Sequence, residues 1–168
     1  MWRPMLAGDL ALVQGIADRV HADYPEAPEI FANRLDLFPA GCFMAVGNVG
    51  YCIAHPGVVG QPPPLDTVLD GLPANADCLY LHDVALLPAA RGNGLGSALV
   101  ARMEQVAKAH GFSRIALTAV SNSDRFWQGL GFGPMPCAKL ASYGAATYRV
   151  KVVKYTGATR EPENSGGG

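Results

Sequence analysis

The sequence predicts one α/β domain, and three observations carry that reading. The apolar runs Cys42 to Val46 and Val49 to His55 flank Gly47-Asn48, a pair suited to the positive φ angles of a two-residue hairpin turn. The stretch from Val84 to Ser97 joins an apolar strand to an amphipathic helix through a basic, glycine-rich turn. Leu95, Leu99, Met103, Val106 and Ala107 then recur at helical spacing before Arg114 to Val120, which reads as a buried strand. At 168 residues and 49% hydrophobic content, the chain has enough apolar material for one core.

The elements follow in order. Residues 9 to 21 place Leu10, Val13, Ile16, Ala17 and Val20 on one helical face, and Glu29 to Leu37 suit a second, shorter helix. In the hairpin, Cys42 faces Ile53 and Cys52 faces Phe43, which puts the two thiols on opposite sheet faces where they cannot pair. Cys42, Cys52, Cys78 and Cys137 show no C-x-x-C spacing and read as small buried thiols of a reducing compartment. The connection from Pro56 to Asp77 is long for a compact domain. Pro62-Pro63-Pro64 stiffens it, and the spacing of Leu65, Val68, Leu69 and Leu72 predicts one short helix within a partial lid, a structural crossover being the other reading. His110-Gly111 ends the long helix, Ser121 to Asp124 opens a short one carrying Phe126, Trp127 and Leu130, and Gly131 stops it. Residues 157–168 have no apolar period and read as a flexible tail to a domain of residues 1–156.

Three alternate glycines, Gly92, Gly94 and Gly96, let the backbone turn sharply and aim several N–H groups at one ligand, and the following helix adds its positive end. Arg91 supplies a forked cation suited to phosphate oxygens, so a phosphate-bearing ligand is expected. An NTPase loop would need Lys before Ser97, where Gly96 stands, and a dinucleotide fold would need G-x-G-x-x-G with an acidic residue near Ala116. The run Arg91-x-x-Gly94-x-Gly96 after Leu86-x-Pro88 instead resembles the acyl-CoA loop of the GNAT superfamily of N-acyltransferases. The succession of strand, loop, helix, strand and a short helix ending Phe126-Trp127-x-x-Leu130-Gly131-Phe132 extends that resemblance over about residues 79 to 133. It implies a mixed, mostly antiparallel α/β (α+β) sheet of six or seven strands, splayed where coenzyme A inserts, with helices on both faces. The implied activity is acetyl transfer from acetyl-CoA to a primary amine of a small molecule or an amino terminus. A non-catalytic acyl-CoA-binding or sensing module is the alternative.

The resemblance also implies roles. Backbone groups of Val84, Ala85 and Leu86 would hold the pantetheine arm and the thioester carbonyl, with Arg91, Gly92, Asn93, Gly94, Leu95, Gly96 and Ser97 around the pyrophosphate. Asn122 is a candidate for the pantetheine contact, or else a turn residue or cap. Trp127 stands where the family often has a tyrosine acid; an indole has no useful proton to give, so it would wall the cofactor arm or pack in the core. Tyr143, in the turn from Lys139 to Gly144, is the other candidate acid, or a solvent-facing turn tyrosine.

An amine must attack as its neutral form, yet a lysine-like amine has a pKa near 10.4, so a base or water relay is needed. Asp83, His82 and His55 are the candidates. Strand alternation puts His82 and Asp83 on opposite faces unless a bulge intervenes, so one at most is expected to face substrate.

Thirteen Lys plus Arg against 14 Asp plus Glu leave a formal charge of −1, which indicates no broad basic surface for nucleic acid. No apolar run approaches membrane-spanning length, no signal-peptide core follows Met1, and no metal-ligand spacing occurs, so a cytoplasmic protein working without metal is expected. Oligomeric state is left open, a homodimer included.

Overall fold

A computed structural model describes residues 1–120 and 123–155. The expected tail and Asn122 lie outside the described residues. Seven strands form one sheet in the order β1-β2-β3-β4-β5-β7-β6: β1 is Trp2–Pro4, β2 Cys42–Ala45, β3 Gly50–Gly57, β4 Cys78–Leu86, β5 Arg114–Val120, β6 Gly133–Pro134 and β7 Ala146–Val152. Every neighbouring pair is antiparallel except β4 with β5. Helices α1 (Leu10–Val20) and α2 (Pro28–Leu37) cover one face; α3 (Leu95–Ala109) and α4 (Asp124–Gly129) cover the other.

Local chemistry sets the boundaries. Gly47 (φ 90°) and Asn48 (φ 57°) make the β2–β3 turn, and the resulting register pairs Cys42 with Ile53 and Phe43 with Cys52, as the turn predicts. Cys42 sits in the core under α1 and α2 while Cys52 lies under α3, and all four cysteines are free thiols. Pro28 opens α2, where its fixed φ fits and its missing N–H is not needed.

The two helices on the α3 face end alike. Gly111 (φ 77°) and Gly131 (φ 93°) take the left-handed conformation, and the phenylalanine after each turns its N–H back into the helix. Phe112 N–H reaches the Ala107 carbonyl at 2.8 Å and Phe132 N–H the Trp127 carbonyl at 3.1 Å. The Gly-Phe pair therefore closes α4 with an aromatic contact, Phe132 against Trp127 at 5.4 Å between centroids.

The segment between β3 and β4 departs from expectation. Leu65 to Leu72 form no helix. Their backbone donors are taken by side chains from elsewhere: Leu65 N–H by Ser142 Oγ, Asp66 N–H by Glu26 and Leu69 N–H by Asn33. Asp66 also adopts a left-handed φ of 54°, which a helix cannot contain. Tertiary bonds have outbid the local period, and the segment is an irregular strap.

Candidate active site

Strands β4 and β5 pair over only three residues, Leu79 to Leu81 against Ile115 to Leu117. Beyond that they part, opening a cleft of about 880 Å³. That size suits a small-molecule site, for which volumes of about 300–1,000 Å³ are usual.

One end of the cleft is cationic and glycine-lined. Gly92 (φ 82°) and Gly94 (φ 75°) are left-handed, a conformation that glycine adopts without strain, and Gly94 caps α3 so that the free N–H groups of its first turn face the loop. Gly96 serves otherwise: a Cβ there would lie 2.6 Å from the Phe126 ring, so its glycine allows α3 and α4 to approach. Arg91 is tethered at the mouth by its Nε–H to the Leu86 carbonyl at 3.3 Å, and Arg125, which the sequence reading passed over, lines the same end. Leu95 and Ser97 also line it, while Asn93 is exposed outside the lining. Trp2 donates its indole N–H to the Leu95 carbonyl at 3.0 Å and so braces this turn. Val84 and Leu86 face the cleft, whereas the Ala85 side chain turns into the core under α1 and α2. Trp127, buried, walls the cleft and packs edge-on against Phe126.

The other end is built by a bulge. Ile53 stands opposite Asp83 and Ala54 opposite Leu81, so His82 has no partner across the β3–β4 ladder. This is the bulge that suspends strand alternation between His82 and Asp83, and where one of the two at most was expected at the site, both line the cleft. His82 donates Nε2–H to the Glu26 carboxylate at 2.8 Å, with the second oxygen at 3.1 Å, and both side chains are buried. Nδ1 of His82 is buried without a hydrogen-bond partner. Glu26 is held in turn by the Asp66 N–H at 3.0 Å.

Asp83 accepts the Tyr51 hydroxyl at 2.6 Å and lies 3.0 Å from Nε2 of His21, whose N–H also points at the Val84 carbonyl at 3.0 Å. Burial works against charge on His21, but the Asp83 carboxylate and the Val84 carbonyl outweigh it and raise the imidazole above its usual pKa. Burial, reinforced by Asp83, pushes the Tyr51 phenol far up. A partner on each oxygen holds the Asp83 carboxylate in place.

Tyr143 is 4% exposed and lines the cleft, so the solvent-facing reading does not hold. Its hydroxyl donates to the Pro63 carbonyl at 2.8 Å and lies 3.3 Å from the Tyr80 hydroxyl; burial pushes it up to about 12. His55 is not brought to the cleft. It faces a separate hollow under the strap beside Tyr80, and burial lowers it to about 3, leaving a neutral ring whose Nδ1–H donates to the Pro56 carbonyl at 2.8 Å.

The cleft thus has two electrical ends: Arg91 and Arg125 at one, Asp23, Glu26 and Asp83 at the other. Glu26, His21 and Tyr51 were not found from the sequence. The polar run from His21 to Glu26 between two apolar-faced helices was the available signal. Among the described residues no three His, Cys, Asp or Glu side chains gather as a metal site, and no helix is long and apolar enough to cross a membrane.

Comparison with known proteins agrees with this geometry. A GphF GNAT-like decarboxylase bound to isobutyryl-CoA superposes with a TM-score of 0.76 at 14% identity, covering 92% of this chain and 100% of that one. Ard1 from Thermoplasma volcanium gives 0.69 at 16% identity, covering 92% and 98%. The ribosomal-protein-S18-alanine N-acetyltransferase of Escherichia coli gives 0.62 at 16%, covering 95% and 97%. No curated protein matches by sequence. The model of the acetyltransferase (GNAT) family matches residues 13–132, and with the splayed sheet and the left-handed glycine loop it establishes that this chain belongs to the GNAT family.

Proposed function

We propose that the protein transfers an acetyl group from acetyl-CoA to a primary amine by direct attack. The observation that carries this reading is the His82 bulge, which brings a buried His-Glu pair and a fixed carboxylate to the end of the cleft opposite the phosphate-binding loop.

The donor fits the first end. The loop N–H groups at Gly92 to Gly96, with Arg91 and Arg125, suit a pyrophosphate, and the β4 edge that β5 abandons after Leu81 offers backbone groups to an extended amide-bearing arm. Trp127 gives that arm an apolar wall. A backbone N–H of the parted β4 segment, directed at the thioester oxygen, would stabilise the charge that develops during attack, an effect worth about 3–4 kcal/mol.

At the second end Asp23 and Asp83 draw an ammonium inward. His82, with Nε2–H committed to Glu26 and its buried Nδ1 unbonded, would take the proton as nitrogen attacks once the acceptor or a water reaches that atom, and Glu26 would stabilise the imidazolium that results. The Tyr143 hydroxyl already donates its hydrogen bond to the Pro63 carbonyl, so the thiolate, whose pKa is near 8.5, leaves as the anion or takes a proton from water.

A decarboxylase, as the GphF neighbour is named, must hold a substrate carboxylate. Three acidic side chains at this end oppose that and favour a cation. The test is release of free CoA thiol from acetyl-CoA in the presence of a panel of amines. Amine-dependent release with acetylated product is expected; donor binding without turnover on any amine would reduce the protein to an acyl-CoA-binding module.

A further inference from the structure

The strap between β3 and β4 is stitched to both walls of the acceptor end within four consecutive residues. On one side the Pro63 carbonyl accepts the Tyr143 hydroxyl at 2.8 Å and the Leu65 N–H reaches Ser142 Oγ at 3.2 Å, both in the turn before β7. On the other, Asp66 N–H binds Glu26 at 3.0 Å while the Asp66 carboxylate accepts the Ala27 N–H at 2.7 Å, both in the segment between α1 and α2. Behind these points α2 clamps the strap further. Asn33 bonds both the N–H and the carbonyl of Leu69, at 2.9 and 3.0 Å, and the buried Arg34 donates to the Thr67 carbonyl at 3.0 Å. Leu65 and Tyr143 therefore line the cleft as parts of a roof running from one wall to the other.

We infer that the acceptor is a small cationic amine and not the amino terminus of a polypeptide, because the strap from Pro63 to Asp66 bridges the two walls between which a peptide would have to lie. The inference rests on the amine-acetylation reading above and narrows it. An amino terminus carries a chain behind it, and that chain needs an open groove beside the reacting nitrogen. Here the groove is crossed by four hydrogen bonds, and a polypeptide would have to break them without replacing the bonds that Glu26 and Asp66 give up. The same space, about 880 Å³, must also hold the donor arm. Asp23, Glu26 and Asp83 line that end beside one cation, His21, which sits 3.0 Å from Asp83; the remaining excess of acidic side chains selects a protonated amine over a neutral or anionic acceptor.

The full chain is assayed with acetyl-CoA against compact monoamines and diamines, and against peptides with free amino termini, by CoA release and mass of product. The best small amine is expected to exceed every peptide in kcat/KM by about 100-fold or more. The variant Asp66→Gly with Ser142→Ala removes a stitch on each wall, tolerates the left-handed φ at 66 and alters no side chain that lines the cleft. It should raise the peptide-to-amine ratio by about tenfold. Peptides acetylated as well as small amines by the unaltered chain would overturn the roof while leaving amine acetylation intact, and this holds even if the variant fails to fold. No CoA release with either class would overturn both readings together.

Discussion

The two ends of the cleft are made by different means. The donor end is backbone: left-handed glycines, a helix start and a strand edge without a neighbour, with two exposed arginines at its mouth. The acceptor end is side chain: a buried pair, His82 with Glu26, and a partly buried one, Asp83 with Tyr51, gathered from β4, β3 and the segment after α1. Backbone recognition follows from chain conformation and so is written locally. Side-chain recognition depends on which distant segments meet, and small changes of partner change the chemistry.

The contrast can be broken first at the acceptor end, where the largest effect is expected. Glu26→Gln removes the charge behind His82 at nearly constant shape, and turnover should fall by about 10²-fold or more, the scale of a positioned proton acceptor. Acetyl-CoA affinity by calorimetry should stay unchanged, and the pH profile of kcat should move, a change that mere loosening of the fold would not produce. Equal losses in affinity and turnover would mean that the two ends are not separable.

At the donor end Gly94→Val forces a β-branched residue into a left-handed conformation, a strain of about 1–3 kcal/mol. Acetyl-CoA affinity should drop by about tenfold or more, with turnover at saturation largely kept. Gly96→Val sharpens the point, because it meets Phe126 and not the loop: its expected loss is in thermal stability through α3–α4 packing. If Gly96→Val proved the worse for donor binding, the glycine nearest α4 and not the left-handed pair would hold the phosphate.

The smallest effect concerns His55, the candidate that lies behind the acceptor end, its ring 6.1 Å from that of His82, and does not line the cleft. Its folded pKa of about 3 lies below the value near 6.5 of an unfolded histidine, so its contribution to stability is present above about pH 6.5 and is lost as pH falls toward 3. The slope from this group approaches about 1.4 kcal/mol per pH unit within that window. His21, whose pKa is raised, acts in the opposite sense: its contribution is present below about pH 6.5 and is lost as pH rises through the raised value. Denaturant unfolding at several pH values should show a shallower acid slope for His55→Gln than for the unaltered chain, while turnover at neutral pH changes little.

These differences match what could be read in advance. Periodicity and turn chemistry are local, and they placed α1, α2, α3, β5 and the β2–β3 register within a residue or two. The glycine loop was legible for the same reason, although sequence could not separate the conformational glycines, Gly92 and Gly94, from Gly96, whose reason lies in a ring thirty residues on. The Leu65–Leu72 period misled because Glu26, Asn33 and Ser142 capture its backbone donors, and none of the three is near in sequence. Glu26 escaped notice likewise: nothing in the run His21 to Glu26 says that it meets His82 fifty-six residues later. The bulge did leave a trace. Leu79, Leu81, Val84 and Leu86 all pack toward α3, and the step of three between Leu81 and Val84 marks the slipped residue.

That slip has a genetic meaning. Before it, Cys78 and Tyr80 point away from α3, as do Asp83 and Ala85 after it, so deletion of the single codon for His82 would restore plain alternation with every other side chain on its present face. His82 is thus an addition that reassigns nothing else in the strand. A lineage can gain or lose a proton acceptor at this place by one in-frame event while the donor loop downstream and the core upstream go on reading as before, which makes the position a natural point for relatives of this chain to differ in chemistry while sharing a fold.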